Sequence, residues 1–281
     1  MRIVCLVKQV PRPDSIEFDE GTKQLRREGV PVLLNPFDAA AVSHSAAYEG
    51  AEVIAMTMGP PQAEAALRTC LALGADRCIH LSDRVFAVAD TLGTSRTLAL
   101  AIRKLGDVDL VVCGRKTTDS ETWQVPPETA AFLGWPHLTN VVETELRDGR
   151  LRATRETDDG YDTWEVVIPA VVSLAYAREA EGDADGPIDV WTARDLVDDL
   201  HEHDKRFGQT GSPTRVLAVH DVTPERAGER FTDLEAAVAR IRTLATDRAP
   251  DPSGSAHRRR EVGPRAGAVH GGHQRRDRFA A

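Results

Sequence analysis

The 281-residue sequence predicts an α/β protein: an open, doubly wound, mostly parallel sheet with a small antiparallel annex and a C-terminal arm. Three observations predict it. Strand-length apolar runs alternate with helix-length ones through the first half, and the connections between them are short. After Pro136 the pattern changes to short runs separated by Asp-Gly turns. Parallel neighbours need a crossover that returns the chain to its starting edge, so βαβα alternation implies helices on both faces of the sheet, whereas Asp-Gly turns join antiparallel strands directly.

In chain order, strands are expected at Ile3–Val7, Val53–Met58, Cys78–Leu81 and Leu110–Cys113, and helices over Pro36–Tyr48, Pro61–Leu73 and Thr91–Leu105. Each helix has a start signal. Asn35 offers a capping amide ahead of Pro36, Gly59-Pro60-Pro61 introduces the second helix, and Asp90 precedes the apolar period Leu92, Leu98, Ala99, Ile102. The annex is read from Val141–Leu146, Leu151–Arg155 and Trp164–Ile168, punctuated by Asp148-Gly149 and Asp158-Asp159-Gly160. Pro169–Leu174 returns a last strand to the main sheet, and Arg178–Pro187 (REAEGDADGP) reads as an exposed loop. Beyond it a short helix is expected near Thr192–Leu200, a strand at Val216–Val219, and an amphipathic helix over Asp233–Leu244 capped by Thr232 or Asp233. The expected organisation is a nucleotide-binding domain over 1–187, a partner-wrapping arm and helix over 188–248, and a disordered basic tail over 249–281.

Charge limits the partners. The tail from Ala249 carries seven arginines against Asp251, Glu261 and Asp277, a balance of +4, so the other 248 residues hold −13 of the net −9. An acidic folded part argues against nucleic acid as the main partner, because neutralising phosphates needs a basic face. No apolar run reaches membrane-spanning length, and MRIVCLVKQV reads as a strand rather than a secretory leader; a cytoplasmic, not membrane-embedded protein is expected. Cys5, Cys70, Cys78 and Cys113 lie in apolar runs without C-x-x-C spacing and read as buried thiols, and His201-Glu202-His203-Asp204 reads as an exposed charged turn rather than a metal site.

Neither G-x-G-x-x-G nor G-x-x-x-x-G-K-[ST] occurs, so a nucleotide needs another cradle. In an open parallel sheet, ligands bind beyond the carboxyl ends of the strands. Four segments fall at such ends: Leu6-Val7-Lys8; Asn35, Pro36, Phe37 and Asp38; Met58-Gly59-Pro60-Pro61; and the loop Gly114, Arg115, Lys116, Thr117, Thr118, Asp119, Ser120, Glu121, Thr122, Trp123, Gln124 and Val125. Thr117, Thr118, Ser120 and Thr122 offer hydroxyls, Gln124 an amide, Arg115 and Lys116 positive charge, and the backbone amides ahead of a helix from about Pro126 an anion cradle. No nucleophile–base arrangement stands out, so no catalytic residue is assigned.

Several stretches carry a family resemblance: VKQVP at Val7–Pro11, NPFDAAAV at Asn35–Val42, MGPPQAEAALRTCLALGADRCIHLSD at Met58–Asp83, the run from Ala89 to Thr122, RETDDGYDTWEVVIPAVVSL at Arg155–Leu174, and GSPTRV at Gly211–Val216. Over residues 1 to about 245 the chain resembles the beta (small) subunit of electron-transfer flavoprotein. That resemblance implies a heterodimer with an alpha subunit, FAD held with or mainly by that subunit, and electrons carried from a flavin-dependent dehydrogenase to a quinone reductase or similar acceptor. It also implies AMP, or a second FAD, held by Leu6, Asn35–Asp38, Met58 and Gly114–Val125, with no catalysis by this chain itself. Departures from the family pattern fall in the same loop, where Glu121 stands for an Asp, Pro126 for a Gly and Trp123 for a small or polar residue, and in REAEGDADGP, which lacks the apolar anchor of the dehydrogenase-docking loop. The alternative expectation is a stand-alone nucleotide sensor of the universal-stress type; an ATP-using synthetase needs a pyrophosphate signature that is absent.

Overall fold

A computed structural model describes residues 1–12, 31–215, 217 and 228–247. The chain divides into two units, Met1–Val222 and Thr223–Ala281.

In the first unit, strands β1 (Arg2–Leu6), β4 (Glu52–Met58), β5 (Arg77–Leu81), β6 (Leu110–Gly114), β7 (His137–Arg147), β10 (Ala170–Leu174) and β11 (Ile188–Trp191) run parallel, and β8 (Arg150–Thr157) and β9 (Gly160–Val167) extend the sheet antiparallel. The order is β11-β5-β4-β1-β6-β10-β7-β8-β9. A separate two-stranded antiparallel sheet pairs β2 (Gln9–Pro11) with β3 (Val32–Leu34).

Helices α1 (Pro36–Ala46) and α2 (Glu64–Ala72) cover one face, where Ile3, Cys5, Ala41, Val42, Leu67 and Cys70 form a core. Helices α3 (Thr91–Leu105) and α4 (Val125–Leu133) cover the other, where Val4, Leu6, Leu98, Ile102 and Ala130 form a second core. Successive residues of β1 thus feed opposite cores, as the two-residue period of a strand buried on both faces requires. The chain winds from β1 outward to β5, then crosses behind the sheet through α3 and re-enters on the other side of β1 as β6. Such a reversal is where open α/β sheets form a ligand crevice, here at the carboxyl ends of β1 and β6.

The start signals act differently from one another. Asp90 caps α3, accepting from the Gly93 N–H at 2.9 Å, a contribution of about 1 kcal/mol. Asn35 does not cap α1; its amide is engaged elsewhere, as described below. Asp148 and Gly149 both take positive φ (+51° and +71°), the geometry of a two-residue turn joining β7 to β8.

One part differs from the sequence expectation, while the exposed loop at 178–187 forms as read. Ile188–Trp191 is an edge strand paired with Cys78–Leu81, and it leads into a short helix, α5 (Ala193–Leu196), closed by a reciprocal Thr192–Asp195 capping box. The stretch 178–187 is irregular but tied down: Ala180 packs on the first core, Arg68 pairs with Asp185 at 2.7 Å, Thr69 donates to Asp183 at 3.1 Å, and the Ala184 N–H donates to the Arg68 carbonyl at 3.1 Å. Within the 201–204 turn Asp204 is buried and bonded by Arg206, while Glu202 and His203 are exposed. All four cysteines are buried and unpaired.

In the second unit, α6 (Leu234–Asp247) is capped by Asp233, which accepts from the Ala236 N–H at 2.9 Å, and its Leu234, Ile241 and Leu244 are exposed. The expected strand at Val216–Val219 and the tail from 249 lie outside the described residues, Leu217 apart.

Candidate functional site

Asp38 ties together the three elements around the crevice. Standing in the first turn of α1, it accepts from the Lys8 N–H at 2.9 Å after β1 and from the Gly114 N–H at 3.0 Å at the end of β6. It is 4% exposed, and burial pushes its carboxyl up to about 7 against the opposing donors at Asn35, Gly114 and Lys8. The sequence marks Asp38 as a ligand contact; its carboxylate is instead engaged inside the protein, where it positions the strand ends.

Gly114 permits the close approach of α1. A β-carbon there would sit 2.4 Å from Phe37 Cβ and 2.7 Å from Asp38 Oδ1, so only glycine fits. Asn35, fully buried, replaces its expected capping role with a brace for the loop after β6: Nδ2 donates to the Lys116 carbonyl at 2.9 Å, and Oδ1 accepts from the Thr118 N–H at 3.3 Å.

The loop itself is tight. The Arg115 N–H donates to the Leu174 carbonyl and the Glu121 N–H to the Thr117 carbonyl, both at 3.1 Å. Glu121 and Trp123 adopt left-handed backbone angles, φ +48° and +62°, which residues with a β-carbon take at a cost of about 1–3 kcal/mol. Lys8 Nζ reaches across to Asp119 Oδ2 at 2.6 Å and Ser120 Oγ at 3.1 Å. Burial raises the Asp119 pKa, but the Lys8 contact and neighbouring hydroxyls outweigh it and hold the carboxyl below its ordinary value. Arg115 lies over the rings of Phe37 and Trp123, 5.4 and 4.9 Å from their centroids.

Not every predicted residue faces the crevice. The Leu6 side chain is buried in the second core, so only its backbone reaches the rim. Met58 and Val125 also pack against that core. Pro36 opens α1, and its carbonyl accepts from the Arg178 N–H at 2.9 Å. Gln124, just ahead of α4, accepts from Thr91 Oγ1 at 3.4 Å, and Thr122 is exposed. Sequence reasoning missed Glu156, which comes from β8 to within 3.8 Å of Arg115, and Gln9, whose Nε2 bonds the Gln62 carbonyl at 2.8 Å beside the end of β4. Neither carries a local signal, since each acts through a long-range pairing.

An anion has suitable donors here. The amides of Lys116, Thr117, Asp119 and Ser120 donate to no other described residue, and Thr118 Oγ1 and Arg115 Nε are buried without a partner among the described residues. Among the same residues no group of three or more His, Cys, Asp or Glu is placed to hold a metal ion. No helix among them is long and apolar enough to cross a membrane.

Comparison with known proteins agrees with this architecture. Residues 22–196 match the electron transfer flavoprotein domain. The chain is 38% identical over 241 residues to an electron transfer flavoprotein subunit beta of Thermoanaerobacterium thermosaccharolyticum, covering 83% of this chain and 92% of the relative. It is 38% identical over 245 residues to the caffeyl-CoA reductase-Etf complex subunit CarD of Acetobacterium woodii, with the same coverage, and 35% identical over 252 residues to the protein FixA of Azorhizobium caulinodans, covering 83% and 88%. These relatives give no support to the universal-stress alternative. On this evidence the chain belongs to the electron transfer flavoprotein family, among its beta-type, electron-transferring subunits.

Proposed function

We propose that this chain is one half of a two-subunit flavin carrier. With an alpha subunit it completes an FAD-containing heterodimer that takes electrons from a flavin-dependent dehydrogenase and delivers them to a quinone reductase or similar acceptor, in the cytoplasm. At the crevice it holds one adenylyl group, as AMP or as part of a second FAD. The observation that carries the reading is the convergence of Lys8, Asn35–Asp38 and the loop from Gly114 on the one reversal point of a parallel sheet, with four amides left to donate.

FAD, when bound, supplies the reversible electron chemistry of the carrier. This chain contributes binding and positioning. The Lys116, Thr117, Asp119 and Ser120 amides and the Thr118 hydroxyl offer neutral donors to a phosphate. Asp38 and Asn35 hold the loop at the strand ends before a ligand arrives, so little ordering remains to be done on binding. No side chain of this chain is assigned a chemical step.

Docking of the donor follows from the same reading. The stretch 178–187 is fastened to α2 through Arg68 and Thr69 and has no apolar residue larger than alanine, which favours a dedicated dehydrogenase recognised by another surface. Co-expression with the alpha subunit, followed by a visible spectrum and mass spectrometry of released nucleotides, tests the assignment. A yellow complex releasing FAD plus AMP, or FAD alone at twice the complex's concentration, is expected. A colourless preparation that releases no purine refutes it.

A further inference from the structure

Resting on the adenylate reading above, we propose that Asp119 and Glu121 are specificity-determining residues: by neutralising the lysines of the crevice they restrict it to ligands of low phosphate charge and reject ADP and ATP.

In sequence the loop sets Arg115 and Lys116 against Asp119 and Glu121, and in the structure these charges are spent within the chain. Lys8 Nζ lies 2.6 Å from Asp119 Oδ2, and Lys116 Nζ lies 2.5 Å from Glu121 Oε1. Arg115 Nη1 is 3.8 Å from Glu156 Oε2. Three cations therefore meet three carboxylates. The cations also contact aromatic rings: Arg115 and Lys116 both lie over those of Phe37 and Trp123, with Lys116 Nζ 5.6 and 5.7 Å from the two centroids. Glu121 makes its pair from a left-handed backbone, φ +48°, so the chain accepts strain to place that carboxylate on Lys116. Arg178, whose N–H donates to the Pro36 carbonyl, is the next cation along this end of the sheet, and its exposed side chain has no carboxylate partner among the described residues.

Among the described residues, what remains for a ligand is a set of neutral amides and hydroxyls with at most one uncompensated cation. AMP and the pyrophosphate bridge of FAD each carry about two negative charges, ADP about three and ATP about four. The first two can be held by neutral donors and the amino end of α4. Each further phosphate must approach Asp119 and Glu121 with no cation released to meet it. With the lysines already paired, the lost hydration of each added unit charge goes uncompensated, which disfavours it roughly tenfold.

Equilibrium binding of AMP, ADP and ATP to the full chain in its native complex, stripped of nucleotide and held at low ionic strength, tests this. AMP is expected to bind roughly tenfold tighter than ADP, and ADP roughly tenfold tighter than ATP. Glu121→Gln and Asp119→Asn each leave a lysine free and should shrink the AMP-to-ATP ratio by about three- to tenfold, while Glu121→Asp, which keeps the charge, should preserve it. Glu121 is the exposed member of its pair with Lys116, so folding is not at stake in that variant. Equal affinity of the wild type for AMP and ATP, or an unchanged ratio in both neutral variants, overturns the proposal while leaving the adenylate site standing. Absence of AMP binding altogether overturns the adenylate reading and this proposal with it.

Discussion

Gly114→Ala is expected to disable the crevice and destabilise the domain together. The added β-carbon would stand 2.4 Å from Phe37 Cβ, 2.7 Å from Asp38 Oδ1 and 2.8 Å from the Phe37 carbonyl carbon. Ordinary carbon contacts are about 3.5–4.0 Å, so the first turn of α1 must retreat by roughly 1 Å. Two of the three obstacles belong to backbone or to a β-carbon, and no rotamer change removes them. Overpacking of this kind costs about 1–3 kcal/mol. The retreat also stretches the bond from the Gly114 N–H to Asp38, 3.0 Å in the native protein. Losing a hydrogen bond to a buried carboxyl adds about 1.5–3 kcal/mol, for a total of about 2.5–6 kcal/mol. Urea unfolding of the variant measures the first effect, and nucleotide retained after gel filtration measures the second. Gly149→Ala is the control, because its β-carbon would meet nothing within 4 Å and only its φ of +71° is penalised, by about 1 kcal/mol. If Gly114→Ala unfolds within about 1 kcal/mol of wild type and keeps its nucleotide, the close-approach argument is wrong.

Three further outcomes are expected. Asn35→Ala strands the Lys116 carbonyl and the Thr118 N–H in a buried site; it should cost about 2–4 kcal/mol and accelerate amide hydrogen exchange at Thr118, which ordinary protection there would contradict. Asp38 should make stability fall as pH rises: its folded pKa of about 7 lies above the ordinary 3.8, so the folded protein binds the extra proton between these values. The stabilisation is complete below the unfolded value and is lost as pH climbs through about 7, with a slope of at most about 1.4 kcal/mol per pH unit; urea midpoints from pH 5 to 8 should show the trend and lose it in Asp38→Asn. Phe207, 1% exposed, packs its ring 5.4 Å from that of Phe86, so Phe207→Ala should cost about 3–5 kcal/mol in thermal or urea unfolding; a near-neutral result would mean that the stretch after β11 is not part of this core.

Much of the fold was legible because local signals agreed with the tertiary outcome. The helix over Thr91–Leu105 has the bounds expected from its period, and Asp90 caps it as its position suggested. The hairpin at Asp148-Gly149 forms where two residues tolerant of positive φ interrupt alternating runs. Ile188–Trp191 escaped notice because IDVW is short and interrupted by a charged residue; only the free edge of β5 makes it a strand. Gln9–Pro11 and Val32–Leu34 are shorter still, and each is a strand only through the other.

The site divides in the same way. Its location followed from sequence order alone: alternating strands and helices force a reversal somewhere, and the segments after β1, β4 and β6, with the start of α1, had to end on one rim. What each residue does there was settled by packing. Asn35 had every local mark of a helix cap, but the loop after β6 passes close enough to claim both ends of its amide. Asp38 became an internal brace because Gly114 lets α1 approach until two backbone amides reach one carboxylate. Arg115 and Lys116 read as positive charge until the fold set Glu156 and Glu121 against them. Composition and period thus determined which segments meet, since those depend on neighbours in the chain; charge balance and hydrogen-bond partnership were decided only by tertiary structure, because they depend on distances of a few ångströms between residues as far apart as Lys8 and Asp119.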